Sequence, residues 1–286
     1  MQQEFKYADL LDDDVFKLVF GQESSKDVMI EFLNQVIEDR NIVDLTFIDK
    51  EMKSVNRGEK NSIYDMACDT DDGTRIVVEV QRRKQATYVE RAIYYSTFQV
   101  RNQVNAGSDD YAFCPVYVIN ILDFSLDENS GNPDVRTVYR LYEEKAHTLL
   151  TDKLTFIFLE LKKFNKTEEE LDGNILEGMY FCFRNMAKLR ARPKALAHEV
   201  FKKMFHICEL INMDELTRFK IITKMTTERD LRNQMAYAKK EAIAEGRAEG
   251  RAEGRAEIAR NLKAAGVDYA IISSATGLAL EDVEQL

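Results

Sequence analysis

One stretch constrains the fold of this chain more than any other: Ile63-Tyr64-Asp65, the turn Asp71-Asp72-Gly73, then Ile76-Val77-Val78-Glu79-Val80-Gln81. Two β-rich runs around Asp-Asp-Gly predict a hairpin, with strands over 62–69 and 74–81. Ile76, Val78 and Val80 alternate onto one face, and Glu79 and Gln81 share the other. A carboxylate in so apolar a strand is costly to bury unless it is paired or bound to a metal. Turn length decides where Asp65 falls. A two-residue loop, Asp72-Gly73, sets Asp65 opposite Val80 on the core face. A three-residue loop with Gly73 left-handed sets Thr70 opposite Thr74 and Asp65 opposite Glu79. The second register is expected, because it avoids burying Asp65 against Val80. It brings two carboxylates to about 5 Å between Cβ atoms, where like charges repel unless a cation lies between them. Two carboxylates and a carbonyl suit Mg²⁺, which prefers oxygen ligands.

The rest of the chain supplies helices and further strands around this hairpin. Leu10, Leu11, Val15, Leu18 and Val19 make an apolar helical stripe that Gly21 ends. Met29, Phe32, Leu33, Val36 and Ile37 predict a second helix after Ser24 or Ser25. A strand follows over 43–48. A helix over 88–104 starts at Thr87 and Glu90, which have capping-box spacing. Further strands fall near 115–122, 135–142 and 154–161. The pattern over 1–165 is therefore α/β. From 166 it turns all-helical, with helices over 171–189, 194–210 and 214–260.

Composition narrows the function classes. The four cysteines, Cys68, Cys114, Cys182 and Cys208, form no CxxC pair, and the three histidines, His147, His198 and His206, form no HExxH. A zinc cluster or a histidine-based triad is not expected, so carboxylates must carry any chemistry. No apolar run is long enough to span a membrane, and the first residues are acidic where a secretory leader would be basic, so a cytoplasmic protein is expected. The net charge of -10 is unevenly spread. Residues 1–74 hold 8 Lys/Arg against 18 Asp/Glu, residues 75–105 hold 6 against 2, and residues 182–224 hold 10 against 4. The middle of the chain is thus basic enough to meet a phosphate backbone.

Asp65, then Glu79-x-Gln81, then a helix resembles the core of the PD-(D/E)XK nucleases. More narrowly, the chain is similar to the Rpn family of recombination-promoting nucleases, related to transposases. Asp14-Val15-Phe16-Lys17 with Phe20-Gly21 is similar to that family's Asp-x-x-Phe-Lys signature. Glu79-Val80-Gln81 has its Glu-x-Gln where the superfamily has Glu-x-Lys, and Arg91 with Tyr94-Tyr95 matches its Arg-x-x-Tyr-Tyr helix. The resemblance covers residues 10–165. It implies a restriction-endonuclease-like fold, a mixed sheet flanked by helices, with an all-helical C-terminal extension. It implies a metal-dependent DNA endonuclease of recombination, mobile elements or defence. Asp65 and Glu79 would ligate Mg²⁺ with the Val80 carbonyl, and Gln81 would orient the attacking water. Arg91 and Tyr95 would contact the scissile phosphate, with Arg83 substituting for the missing lysine charge if the strand continues. Asp14 would join the acidic site, although Asp12-Asp13-Asp14 equally reads as a helix N-cap. The glutamine in place of lysine leaves an alternative: a catalytically weak or inactive nuclease-fold protein acting in DNA binding or assembly.

The expected organisation is a nuclease domain over 1–165, a helical region over 166–237, a repeat helix over 238–261 and a small helical cap over 262–286. The repeat is Ala-Glu-Gly-Arg three times from Ala244 to Arg255. On a helix, a four-residue period drifts by about 40° per repeat, so each residue type forms a winding column. The three interior glycines cost roughly 3 kcal/mol against alanine, which a closely packed partner helix would offset. A homodimer through this helix is expected, with Glu249 and Arg251 at the flanks, where an antiparallel partner would offer the opposite charge. The cap has the outline of a helix-turn-helix, but its acidity argues against DNA reading.

Overall fold

The computed structural model describes residues 5–48, 51–52, 62–104, 110–126 and 131–286. They form two compact units, Met1–Ile222 and Thr223–Leu286.

The first unit opens with α1 (Asp13–Phe20) and α2 (Lys26–Val36). The apolar stripe starts earlier than the helix, because Asp12 takes the N-cap and accepts from the amides of Asp14 and Val15. The strands are β1 (Leu45–Phe47), β2 (Glu51–Met52), β3 (Ser62–Ile63), β4 (Met66–Thr70) and β5 (Arg75–Gln81). Helix α3 (Tyr88–Arg101) follows, then β6 (Val116–Leu122), β7 (Arg136–Tyr142) and β8 (Leu149–Glu160). Six strands make one sheet in the order β1-β4-β5-β6-β8-β7, while β2 and β3 pair separately. The β5-β6 and β6-β8 pairs are parallel and the others antiparallel. This is the mixed sheet flanked by helices expected of a restriction-endonuclease-like fold. The first predicted hairpin strand is split at Tyr64 and Asp65, with a bend at Asp65 between β3 and β4.

The parallel register aligns side chains by face. Val77, Val118 and Phe156 lie in one row, and Glu79, Asn120 and Phe158 in the next. Helix α3 covers this face, packing Tyr88 and Ala92 with Leu122 and Phe158, and Tyr95 with Val77 and Val118. On the other face, the Tyr117 hydroxyl donates to Asp39, just beyond α2, and accepts from the Arg40 guanidinium. Thr87 stands at the start of α3 but its side chain makes no cap hydrogen bond, so the predicted capping box does not form.

Helices α4 (Ile175–Asn185) and α5 (Glu199–Cys208) belong to the same unit. Phe183 of α4 stacks on Phe16 and Phe20 of α1 and meets Phe32 of α2 edge-on. A Cβ added to Gly178 would come within 2.5 Å of Phe201, so α4 and α5 approach closely there. Residue 165 therefore falls inside this unit, because the aromatic faces of α1 and α2 are covered by helices from beyond it.

Helix α6 runs Glu215–Ala264, followed by α7 (Tyr269–Thr276) and α8 (Leu280–Gln285). In the second unit Ala259, Ile272 and Val283 form a small buried cluster. Gly277 ends α7 in the left-handed conformation, and Lys263 donates to the last carbonyls of α8, where a cation complements the helix dipole. This is the helical extension expected from the sequence. Among the described residues no helix is long and apolar enough to cross a membrane.

Candidate active site

The turn sets the site. Gly73 adopts φ 79°, its amide donates to the Thr70 carbonyl at 2.9 Å, and the Thr70 amide donates to the Thr74 carbonyl at 2.9 Å. This is the three-residue loop. The ladder then pairs Asp69 with Arg75 and Met66 with Val78. One step further along that register Asp65 faces Glu79, as the turn chemistry predicts. Asp65 has left the strand, and its Oδ2 accepts from the Val80 amide at 2.7 Å. Val80 thus meets Asp65 through its amide.

Glu79 sits on the α3 face with its side chain only 15% exposed. Burial pushes its carboxyl up to about 8; the Asp65 carboxylate adds to the rise, Arg91 opposes it, and Asp13 adds a smaller increment. A cation that displaces the proton would reverse the burial term. The two carboxylate oxygens differ. Oε1 accepts from Arg91 Nη2 at 3.3 Å, whereas buried Oε2 meets no hydrogen-bond donor among the described residues. An orphaned carboxylate oxygen facing a second carboxylate fits a hard divalent cation. Among the described residues, no group of three or more His, Cys, Asp or Glu side chains is placed to hold a metal ion, so a protein ligand set here rests on two carboxylates and backbone oxygen.

Gln81 is engaged at both ends of its amide. Its Oε1 accepts from Arg91 Nη2 at 2.6 Å, and its Nε2 donates to the Arg83 carbonyl at 2.8 Å. Strand β5 stops at Gln81, so the alternation that would carry the Arg83 side chain onto this face does not reach it. Arg83 contributes its backbone, and its side chain is exposed.

Arg91 is therefore central. Besides Glu79 and Gln81 it donates to Gln85 at 3.0 Å, and its guanidinium lies 4.9 Å from the Tyr88 ring centroid and 5.8 Å from that of Tyr95. Tyr95 thus touches the site through Arg91. Its backbone carbonyl accepts a hydrogen bond from the Tyr64 hydroxyl. Asp14 lies against Lys220 at 3.0 Å, while Asp12 performs the capping that the acidic run allowed.

Two contributors escaped sequence reading. Asn120, level with Glu79 on the neighbouring strand, is buried and accepts from the Tyr88 hydroxyl at 2.9 Å. Its signal was legible, since it is the one amide in Val116–Leu122. Asp9 forms an ion pair with Arg82 at the end of β5. Nothing local predicts that pair, which joins residues 73 positions apart.

A family model described as PD-(D/E)XK nuclease family transposase matches residues 10–238. The match spans most of the chain, which therefore belongs to that family. No curated protein and no solved structure matches the chain.

Proposed function

We propose that this member of the PD-(D/E)XK nuclease family transposases is a DNA-binding protein on a nuclease scaffold whose metal-dependent hydrolysis is weak. The observation that carries the reading is the state of Gln81. It stands where the superfamily's pattern has a lysine, it brings no charge, and both ends of its amide are already bonded to Arg91 and to the Arg83 carbonyl. A water beside Glu79 gains neither a cation nor a free amide from position 81. The basic runs over 75–105 and 182–224 supply affinity for phosphates, and such binding weakens steeply with salt. The signatures Asp13-x-x-Phe16-Lys17, Glu79-x-Gln81 and Arg91-x-x-Tyr94-Tyr95 extend the reading to the recombination-promoting nucleases and to work in recombination or defence.

A second reading, an active Mg²⁺-dependent DNA endonuclease, is favoured by the orphaned Glu79 Oε2 opposite Asp65. Asp65, Glu79 and the Val80 carbonyl would hold the ion. A divalent cation there supplies Lewis-acid charge at the phosphate and acidifies water. Gln81 would orient that water once released from Arg91, and Arg91 with Tyr95 would face the scissile phosphate.

Plasmid nicking in Mg²⁺, beside DNA binding by fluorescence anisotropy across a salt series, separates the two. The first reading expects salt-sensitive binding with slow, Glu79-dependent nicking. Fast, EDTA-sensitive cleavage selects the second. Absence of any DNA binding overturns both.

Assembly is part of the proposal. A four-residue repeat stacks Glu245, Glu249 and Glu253 in one column and Arg247, Arg251 and Arg255 in another, and like charges four apart destabilise a helix. With the glycine column facing a second copy, Glu lies on one flank and Arg on the other. A two-fold axis parallel to the helices sets each Glu flank against the partner's Arg flank. An antiparallel two-fold sets Glu against Glu. The homodimer is therefore parallel, replacing the antiparallel sense expected from the sequence.

A further inference from the structure

We infer that the Arg91 guanidinium is the internal cation of this centre, holding Glu79 and Gln81 until a divalent cation takes Glu79 and a DNA phosphate takes the guanidinium. This rests on the proposed nuclease-scaffold reading and deepens it by naming what keeps the centre weak.

The geometry is that of a plug. Nη2 bridges Glu79 Oε1 and Gln81 Oε1, the carboxylate that would bind the ion and the amide that would orient water. The same guanidinium extends outward, with Nη1 on exposed Gln85. Its walls are aromatic. Tyr88 is buried and tied by its hydroxyl to Asn120, and Tyr95 lies further along α3. Rings on two sides let a guanidinium shift while it stays over a π face. The side chains of Arg91 and Glu79 are 26% and 15% exposed, so solvent screens the pair poorly.

Two consequences follow. Gln81 Oε1 binds Arg91 or orients water, not both at once, and the guanidinium charge held on Glu79 Oε1 repels an ion that Oε2 of the same carboxylate would take, so guanidinium and metal compete. A phosphate is a better bidentate partner for arginine than one carboxylate oxygen and one amide oxygen, so DNA draws Arg91 outward. DNA and metal binding are then positively coupled through one side chain, and the coupling is reciprocal.

The test uses the full chain and Mn²⁺ alone, titrated by calorimetry without DNA, with circular-dichroism melts to select folded variants. Arg91→Met keeps a side chain between the rings and removes the charge. It should bind Mn²⁺ about tenfold more tightly than wild type, the scale of one charge-assisted hydrogen bond released. Arg91→Lys, which keeps a cation, should stay near wild type. The double variant Glu79→Ala/Arg91→Met should lose the gain. Binding by Arg91→Met where wild type gives no heat also supports the plug. Unchanged or weaker affinity in Arg91→Met overturns it, as does a gain that survives in the double variant. Mn²⁺ binding by neither protein overturns it too, while leaving the DNA-binding reading to its own anisotropy test. A short duplex should tighten Mn²⁺ binding to wild type and leave Arg91→Met unchanged.

Discussion

Gly73 and Gly250 show how differently the two regions of this molecule use the same residue. Gly73 holds φ 79° in the hairpin loop, and a Cβ there would meet Cys114 Sγ at 3.3 Å. Only glycine occupies that backbone conformation without strain, and the loop length it permits fixes the register that sets Asp65 against Glu79. Gly250 lies within the regular helix α6, and a Cβ there meets nothing within 4 Å. The hairpin glycine is required by the fold of one chain, whereas no described residue packs against the helix glycine, which is left to the proposed homodimer. Charge follows the same division. Glu79 is desolvated and tied to Arg91 across two elements, while Glu249 and Arg251 are exposed on one helix. A carboxylate shifted by burial thus distinguishes the first region, and an exposed periodic charge pattern the second.

The largest expected effect breaks the hairpin side of this comparison. Glu79→Ala should reduce Mg²⁺-dependent plasmid nicking by about a hundredfold or to the level of the buffer blank, the scale of losing one oxygen ligand and its charge. Nicking equal to wild type would remove Glu79 from the chemistry.

Next comes pH. The Glu79 carboxyl is raised from its ordinary 4.5 to about 8, chiefly by burial. Between those values the folded chain holds a proton that the unfolded chain has released. The stabilisation is thus fully present below 4.5 and lost as pH rises through about 8. Glu79→Gln cannot titrate. Urea melts at pH 5.5 and pH 8 should show wild type losing stability relative to Glu79→Gln by on the order of 3 kcal/mol. Parallel behaviour of the two proteins would show that Glu79 is hydrated.

Gly73→Val and Gly250→Ala then test the glycines against each other. Gly73→Val should destabilise the first unit by about 2 kcal/mol, because a β-branched residue resists positive φ. Gly250→Ala should stabilise α6 by about 1 kcal/mol in the monomer, read as a gain in helicity at high dilution. The same substitution should weaken self-association in sedimentation, since the added methyl lies where a partner backbone would approach. Equal association of wild type, Gly250→Ala and a chain ending at Tyr237 would show that the repeat is no interface.

Local rules carried much of this far. The alternation of Ile76, Val78 and Val80 and the Asp-Asp-Gly turn determined the register, because hairpin pairing follows from loop length within a dozen residues. Helical stripes located α1 and α2, the turn to an all-helical pattern past 166 located α4 and α5, and the Ala-Glu-Gly-Arg period located the repeat helix. Strand alternation also put Glu79 and Gln81 on one face. What surrounds that face was decided only by tertiary structure. Arg91 reaches Glu79 and Gln81 because α3 crosses the sheet at one particular angle. Asn120 lies level with Glu79 because β6 joins β5 in parallel at one register. Asp9 meets Arg82 because the fold brings together residues 73 positions apart. Sequence periodicity fixes which face a side chain takes, since that is set by neighbouring peptide units. The partner on that face is set by how separate elements close-pack, and their contacts span tens of residues with no local signal.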